Sequence, residues 1–404
     1  MTLRVVAGWE PALVFTDPVE VWAPRSLDGA LAAFTRVDEA LGAGYHVAGA
    51  LSYELGAMLH GIAPHAPRLP LLVLGAFREP RRRNVARGGG RFAMSAPLCR
   101  VDRSSYQAQI EHLLSQIRDG EVYQVNYTLP FDVAFSGDPF DLYRFLARRA
   151  RAPYAAYVEH DDVSLVSISP ELFLRFDGDR ISTKPMKGTA RLSHLHELAN
   201  EKNRAEHLMI VDLLRNDLHR ICDDVRVPRL FEIERYPTFA TMTSTIAGTL
   251  RGASFEEIVR ATFPCGSVTG APKRAAMQHI ARAEREPRGF YTGSIGYLSP
   301  KRRGWWNVPI RTLQFERGAA AARFDAGGGI VSDSRASDEW DEIFLKARFL
   351  SPAYKAFTLW ETLRCGPAPS DAAAHVERLA GSAAAFGWNV ERDVLLAQLR
   401  VLDA

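Results

Sequence analysis

The sequence predicts an α+β fold with a largely antiparallel sheet. Strand signals and helix signals fall in separate runs, not in the strict alternation that builds a parallel βαβ sheet. The stretch "AAYVEHDDVSLVSISPELFLRFDGDRISTKP" reads as a meander, with a hairpin turn at 177–179. A second group of strands, "YTGSIGYLS", "VPIRTLQFE" and "AAARFDAGGGIV", sits between two helical runs.

The elements follow in order. "LDGALAAFTRVDEAL" (27–41) has a helical pattern, and "YHVAGALSYEL" (45–55) is strand-like or buried. The basic run 78–91 reads as an exposed loop. In 102–118 the residues Ile110, Leu113, Leu114 and Ile117 recur at helical spacing, and Gly120 marks the stop. "VYQVNYTLPF" is then a strand. Further helices are expected over 196–218, after "GAPK" (270–273), and over 337–350.

Composition sets limits on function. Hydrophobic residues make up 47% and charged residues 24%, enough to bury a substantial core. A net charge of +3 gives no case for a nucleic-acid or membrane partner. Cys99, Cys222, Cys265 and Cys365 are widely spaced, which argues against a zinc site and a disulfide framework. The N-terminus has no signal-peptide pattern and no window is apolar enough to span a membrane, so the expected location is cytoplasmic.

Several polar residues stand in places that ask for a partner. Glu206 shares a helix face with Met209, Ile210 and Leu213, so its carboxylate points toward the core. A buried carboxylate needs a compensating cation, which an arginine, a lysine or a metal could supply. Glu339 and Glu342 lie three apart on the last long helix, and Glu342 is also placed to pair with Lys346 on a solvated face. A hard cation such as Mg2+ takes one or two carboxylates together with water and substrate oxygens. Gly327, Gly328 and Gly329 form either a tight connection or a row of exposed N–H groups for an anion. Lys273 falls in the first turn of its helix, the end that repels cations, which hints at an anionic ligand. Lys187 lies between Pro185 and Gly188, in a stiff turn that could aim it.

Taken in order, "SPELFL", "TKPMKGTAR", "AEHLMIVDLLRNDL", "GSVTGAPK", "YTGSIGY", "IRT", "GGGIVSDS" and "EWDEIFLKA" resemble the chorismate-utilising enzymes, strongly over 100–350 and loosely over 1–99. The resemblance implies one large domain over 1–352 (an N-terminal part, 1–99, and a catalytic core, 100–352) with antiparallel sheets around a deep cleft and helices outside. It implies that Glu206 and Glu342, with Glu339 beside them, hold Mg2+. It further implies that Gly327–Gly329 and the metal receive the ring carboxylate of chorismate, that Arg311 and Tyr291 grip the enolpyruvyl carboxylate, and that Thr189, Gly270 and Lys273 belong to the substrate site. Lys187 resembles the nucleophile of the aminodeoxychorismate-forming branch, where the anthranilate branch usually carries alanine, and Glu171 matches its acid–base partner. Asn203 and Thr241 also depart from the anthranilate pattern. None of the cysteines lies in a glutaminase-like setting, so ammonia is expected from a separate glutamine amidotransferase subunit. Residues 353–404 resemble the opening of a pyridoxal-phosphate-dependent aminodeoxychorismate lyase, too short to hold that cofactor.

Overall fold

The computed structural model describes residues 2–63, 65–85, 92–190, 195, 198, 200–236, 240–351, 353, 371–384 and 390–402. Two ten-stranded antiparallel sheets face each other, with helices on both outer surfaces. This layering follows from the period-two alternation of the strands. In Leu3–Ala7, the side chains of Leu3, Val5 and Ala7 join a core shared with Ala48, Ala50, Val73 and Phe77 of the opposite sheet. Val6 points the other way, into the core under the outer helices. The strand Leu72–Phe77 splits likewise: Val73 and Phe77 face the other sheet, while Leu72, Leu74 and Ala76 face helix Leu27–Gly42. The central strands of each sheet are buried on both faces, so they read as near-continuous apolar runs.

The expected α+β class and the antiparallel sheets hold, and the details correct three expectations. The supposed meander is two hairpins in different sheets: Val163–Ser169 pairs within the first, and Leu172–Asp177 pairs with Arg180–Lys184 in the second. Pro170 and Glu171 make the crossing. The basic run is not wholly loop, because Arg81–Arg83 adds an exposed edge strand onto Ala12–Phe15; residues 86–91 lie outside the described residues. The helix expected from 196 begins at Glu201, where the Asn200 side chain accepts the Asn203 N–H at 2.7 Å, a cap that fixes the start. The long pair Cys222–Arg235 and Ala240–Leu250 gave no strong sequence signal, because the outer strand is mostly exposed.

Residues 1–99 are integral to both sheets. Leu3–Ala7 and Ala12–Phe15 extend the first, and His46–Leu51, Leu72–Phe77 and Glu20–Trp22 extend the second. Toward the C-terminus, helices Ala372–Ala384 and Arg392–Leu402 pack on each other. Among the described residues no helix is long and apolar enough to cross a membrane.

One buried side chain ties these layers together. Arg288 is 1% exposed and all five of its guanidinium N–H groups have acceptors. Nε donates to Glu284 at 2.8 Å, one terminal nitrogen to Glu284 at 2.6 Å and to the Asn126 carbonyl at 2.7 Å, and the other to the Val268 carbonyl and Thr292 hydroxyl at 3.0 and 3.1 Å. The guanidinium also stacks 4.5 Å from the Tyr53 ring centre. Removing one partner of a buried pair leaves an uncompensated charge. Arg288→Met is therefore expected to cost about 3–5 kcal/mol, read as a lowered urea midpoint. The loss should shrink between pH 8 and pH 5, because the abandoned Glu284 can then take up a proton.

Candidate active site

A cavity of about 420 Å³ draws its walls from both sheets, within the size range of small-molecule sites. Lys187 enters from the edge strand Met186–Ala190 of the second sheet. Its aim comes from a bulge. Lys187 stands opposite Met242, yet Ala190 stands opposite Ala240, so the edge strand carries one extra residue. Gly188 takes φ +70°, a conformation natural to glycine, and an added Cβ there would also press on Leu198 at 3.0 Å. The Thr241 hydroxyl clamps the bulge by donating to the Gly188 carbonyl at 2.6 Å. "PMKGT" is thus a lysine held at a kink in a strand.

The Lys187 amine pairs with Glu206 at 2.7 Å, both side chains mostly buried. Glu206 comes from helix Glu201–His219, and its inward orientation matches the spacing argument. Across the cavity, helix Ala336–Ala347 brings Glu339, Glu342 and Lys346 to the same space. Lys346 pairs with Glu342 at 2.8 Å and donates to the Gly327 carbonyl at 2.8 Å. Glu339 accepts the Ser334 hydroxyl at 2.7 Å; burial, and the neighbouring charge of Glu342, push its carboxyl above the usual range.

The three glycines keep this space open. A Cβ on Gly328 would sit 3.0 Å from a Glu339 oxygen, and one on Gly329 would sit 2.9 Å from the Gln124 amide and 3.3 Å from the Lys187 amine. Gly327 is constrained from behind, where a Cβ would meet the Tyr127 carbonyl at 2.4 Å. Strand Ala322–Ile330 pairs along its length with Gln124–Val133, but with Thr312–Glu316 only at Arg323 and Phe324. Beyond Phe324, its other edge carries no strand partner among the described residues.

Glu171 lies at the crossing between the sheets, 3% exposed. Burial raises its carboxyl to about 7, offset in part by the Ser267 side chain, the Met186 backbone and the Lys187 charge. One carboxylate oxygen is buried without a hydrogen-bond partner. A buried carboxyl poised near 7 beside a lysine suits acid–base work. Arg311 and Tyr291 line the same cavity. Burial lowers Arg311 to about 10, which leaves it a cation at neutral pH. Its φ of +53° is a strained backbone for a non-glycine residue, a feature often retained at sites.

Two expected members belong elsewhere. Lys273 is buried away from the cavity, its amine held by Asp217 at 2.6 Å and the Thr262 carbonyl at 2.8 Å. Asp217 supplies the counter-charge that its place in the first helical turn called for. Gly270 does not line the cavity either: at φ +141°, an added Cβ would fall 2.1 Å from the Gln124 carbonyl, so its need for glycine is one of strand packing. The Thr189 side chain lies outside the described residues. Sequence reading missed Ser267 and Asn126, both in the cavity wall. Asn126 had a visible signal, since Gln124, Asn126 and Thr128 put polar groups on one face of an otherwise apolar strand.

The carboxylates suit a hard cation. Glu171, Glu206, Asp325, Glu339 and Glu342 line the cavity against Lys187, Arg311 and Lys346. Among the described residues, no three acidic, histidine or cysteine side chains are close enough to hold a metal by themselves. One or two of these carboxylates with water and substrate oxygens match the habit of Mg2+.

Comparison with known proteins agrees with this geometry. The chorismate binding enzyme family model matches residues 84–352. Aminodeoxychorismate synthase component 1 of Salmonella typhimurium is 37% identical over 265 residues, which cover 62% of this chain and 58% of that protein. Anthranilate synthase component 1 of Aquifex aeolicus is 36% identical over 263 residues, covering 62% and 53%. The chain thus matches little more than half the length of these curated relatives. In fold, it resembles the crystal structure of anthranilate synthase component I from Streptococcus pneumoniae, with a TM-score of 0.70 at 23% identity over 86% of this chain and 92% of that one. With two-thirds of its length matched by the family model and a cavity built from the expected motifs, the chain belongs to the chorismate binding enzymes.

Proposed function

We propose that this chain aminates chorismate to 4-amino-4-deoxychorismate, with Lys187 as a covalent nucleophile. The observation that carries the reading is the Lys187 amine itself, turned by the Gly188 bulge into a cavity it shares with Glu171. A scaffold that only bound chorismate would have no use for that pair. The anthranilate alternative is disfavoured by Lys187, Asn203 and Thr241, of which Thr241 here serves to clamp the bulge.

In the first step, the Lys187 nitrogen bonds to C2 of the ring as the C4–oxygen bond breaks and both conjugated ring double bonds shift by one position, C1=C2 to C1=C6 and C5=C6 to C4=C5. Protonated Glu171 gives its proton to the departing hydroxyl, which leaves as water. Ammonia then bonds to C4, both double bonds shift back, the C2–lysine bond breaks, and the ammonium formed at C4 returns one proton to Glu171. The enolpyruvyl group is retained. Arg311 and Tyr291 hold its carboxylate, and the Gly327–Gly329 edge faces the ring carboxylate. Mg2+ would be held by Glu206 and Glu342, with Glu339 alongside, and would neutralise the ring carboxylate when bound. With Glu171 protonated and Asp325 held by the buried Arg323, three carboxylates in this lining face three cations, so a doubly anionic ligand needs that added charge.

Ammonia is assigned to a separate glutamine amidotransferase subunit, and the enzyme to the cytoplasm. Residues 353–404 we read as a lyase-like segment, on sequence resemblance alone. The direct test supplies the purified chain with chorismate, Mg2+ and either ammonium or glutamine. The reading expects a product that keeps the enolpyruvyl group, formed with ammonium and not with glutamine. Fluorescent anthranilate with release of pyruvate would replace it with the rival.

The Glu171 role gives a pH signature. A carboxyl raised to about 7 stays protonated below that pH and loses its proton above it. With free ammonia held constant, kcat/KM for chorismate should fall as pH rises through about 7. Glu171→Gln should lower turnover by about 10²–10⁴-fold while leaving the chain folded. A profile flat across pH 6–8 would remove Glu171 as the acid.

A further inference from the structure

The candidate metal ligand and the candidate nucleophile are bonded to each other. Glu206 holds the Lys187 amine at 2.7 Å, with only 14% and 22% of the two side chains exposed. This pairing has a consequence for both. A carboxylate engaged by an ammonium is a poorer site for a second cation, because a doubly charged ion placed on it would stand within a few ångströms of the ammonium in a sheltered cavity. Conversely, a lysine side chain held 2.7 Å from Glu206 is not free to reach the ring carbon. The bulge at Gly188 fixes the lysine backbone and the helix fixes that of Glu206, so the pair separates only by rotation of the two side chains within the cavity.

We propose that Glu206 carries the Lys187 ammonium and the divalent cation in alternation, so that metal binding and release of the nucleophile are one event. The inference rests on the metal placement given under Proposed function. It adds that Lys187 is a built-in competitor of the metal in the substrate-free enzyme. Glu342 differs in this respect. Its partner Lys346 also donates to the Gly327 carbonyl, so that cation has a second anchor when the carboxylate is taken. Lys187 pairs with Glu206, and a Cβ at Gly329 would approach its amine to 3.3 Å, so the space beyond the pair is the glycine-lined part of the cavity. A freed amine would move there, toward the substrate.

The apparent affinity for a ligand falls by the fraction of protein that is competent to bind it. Isothermal titration of Mg2+ alone into the full chain, without chorismate, reads that fraction. Lys187→Met should bind Mg2+ about tenfold tighter than wild type, Lys187→Arg should bind no tighter, and Glu206→Gln should lose the heat of binding. Circular dichroism establishes that each variant is folded. A second readout uses the wild-type chain: labelling of Lys187 by acetic anhydride, followed by peptide mass, should rise several-fold when Mg2+ is added. Equal affinity in wild type and Lys187→Met, with binding lost in Glu206→Gln, overturns the competition while leaving the metal site in place. Labelling of Lys187 that is unchanged or reduced by Mg2+ also overturns it. Wild-type affinity in Glu206→Gln contradicts the metal placement itself, and the inference falls with it.

Discussion

The buried Arg288 guanidinium is the contact on which the shape of the cavity depends. It lies behind the wall and joins pieces that are far apart in sequence. Asn126 of the first sheet, Val268 of the short turn before "TGAPK", and Thr292 beside Tyr291 all bond to it. Asn126, Val268 and Tyr291 each present a face to the cavity. Glu284 completes the arrangement by neutralising the arginine and accepting the Thr128 N–H at 3.0 Å. A charge placed this deep is costly unless every donor is used, and here every donor is used. The same five bonds therefore fix the position of the wall.

Above that foundation, the site is a set of opposed charges held at the limits of the backbone. Lys187 stands at a bulge, Arg311 at a positive φ, and Glu171 at the crossing from one sheet to the other. None sits in the middle of regular structure. Regular structure surrounds them instead: two helices supply Glu206, Glu339 and Glu342, and a glycine strand leaves room for a ligand where side chains would otherwise meet. The arrangement suits a small, doubly anionic ring compound, which needs cations at its carboxylates and a basic nitrogen near its carbon skeleton.

Much of this was legible in the sequence, for identifiable reasons. The inward aim of Glu206 followed from helical spacing with Met209, Ile210 and Leu213. Glu339, Glu342 and Lys346 share a helix face at three- and four-residue intervals, and the structure brings that face to the cavity. The split of the supposed meander was not legible, because a strand that changes sheets has the same alternation as one that stays. The polar stretch at Lys273 misled because first-turn position cannot reveal a counter-ion 56 residues earlier, at Asp217. Arg288 was only partly legible: Glu284 stands four residues before it, but the Asn126 and Val268 carbonyls it also binds are 162 and 20 residues away. Long-range pairing of buried charges is where local pattern carries least information.

The central claim is that Lys187 forms a bond to the ring, and it is tested most directly by incubating the chain with chorismate and Mg2+ without ammonia or glutamine. The reaction is quenched and digested, and the peptides are weighed. The account predicts an added mass equal to chorismate less one water on the peptide containing Lys187. It predicts no adduct in Lys187→Ala, nor in Lys187→Arg, whose guanidinium keeps its proton. An adduct on any other residue, or amination at the wild-type rate by Lys187→Ala, would contradict it.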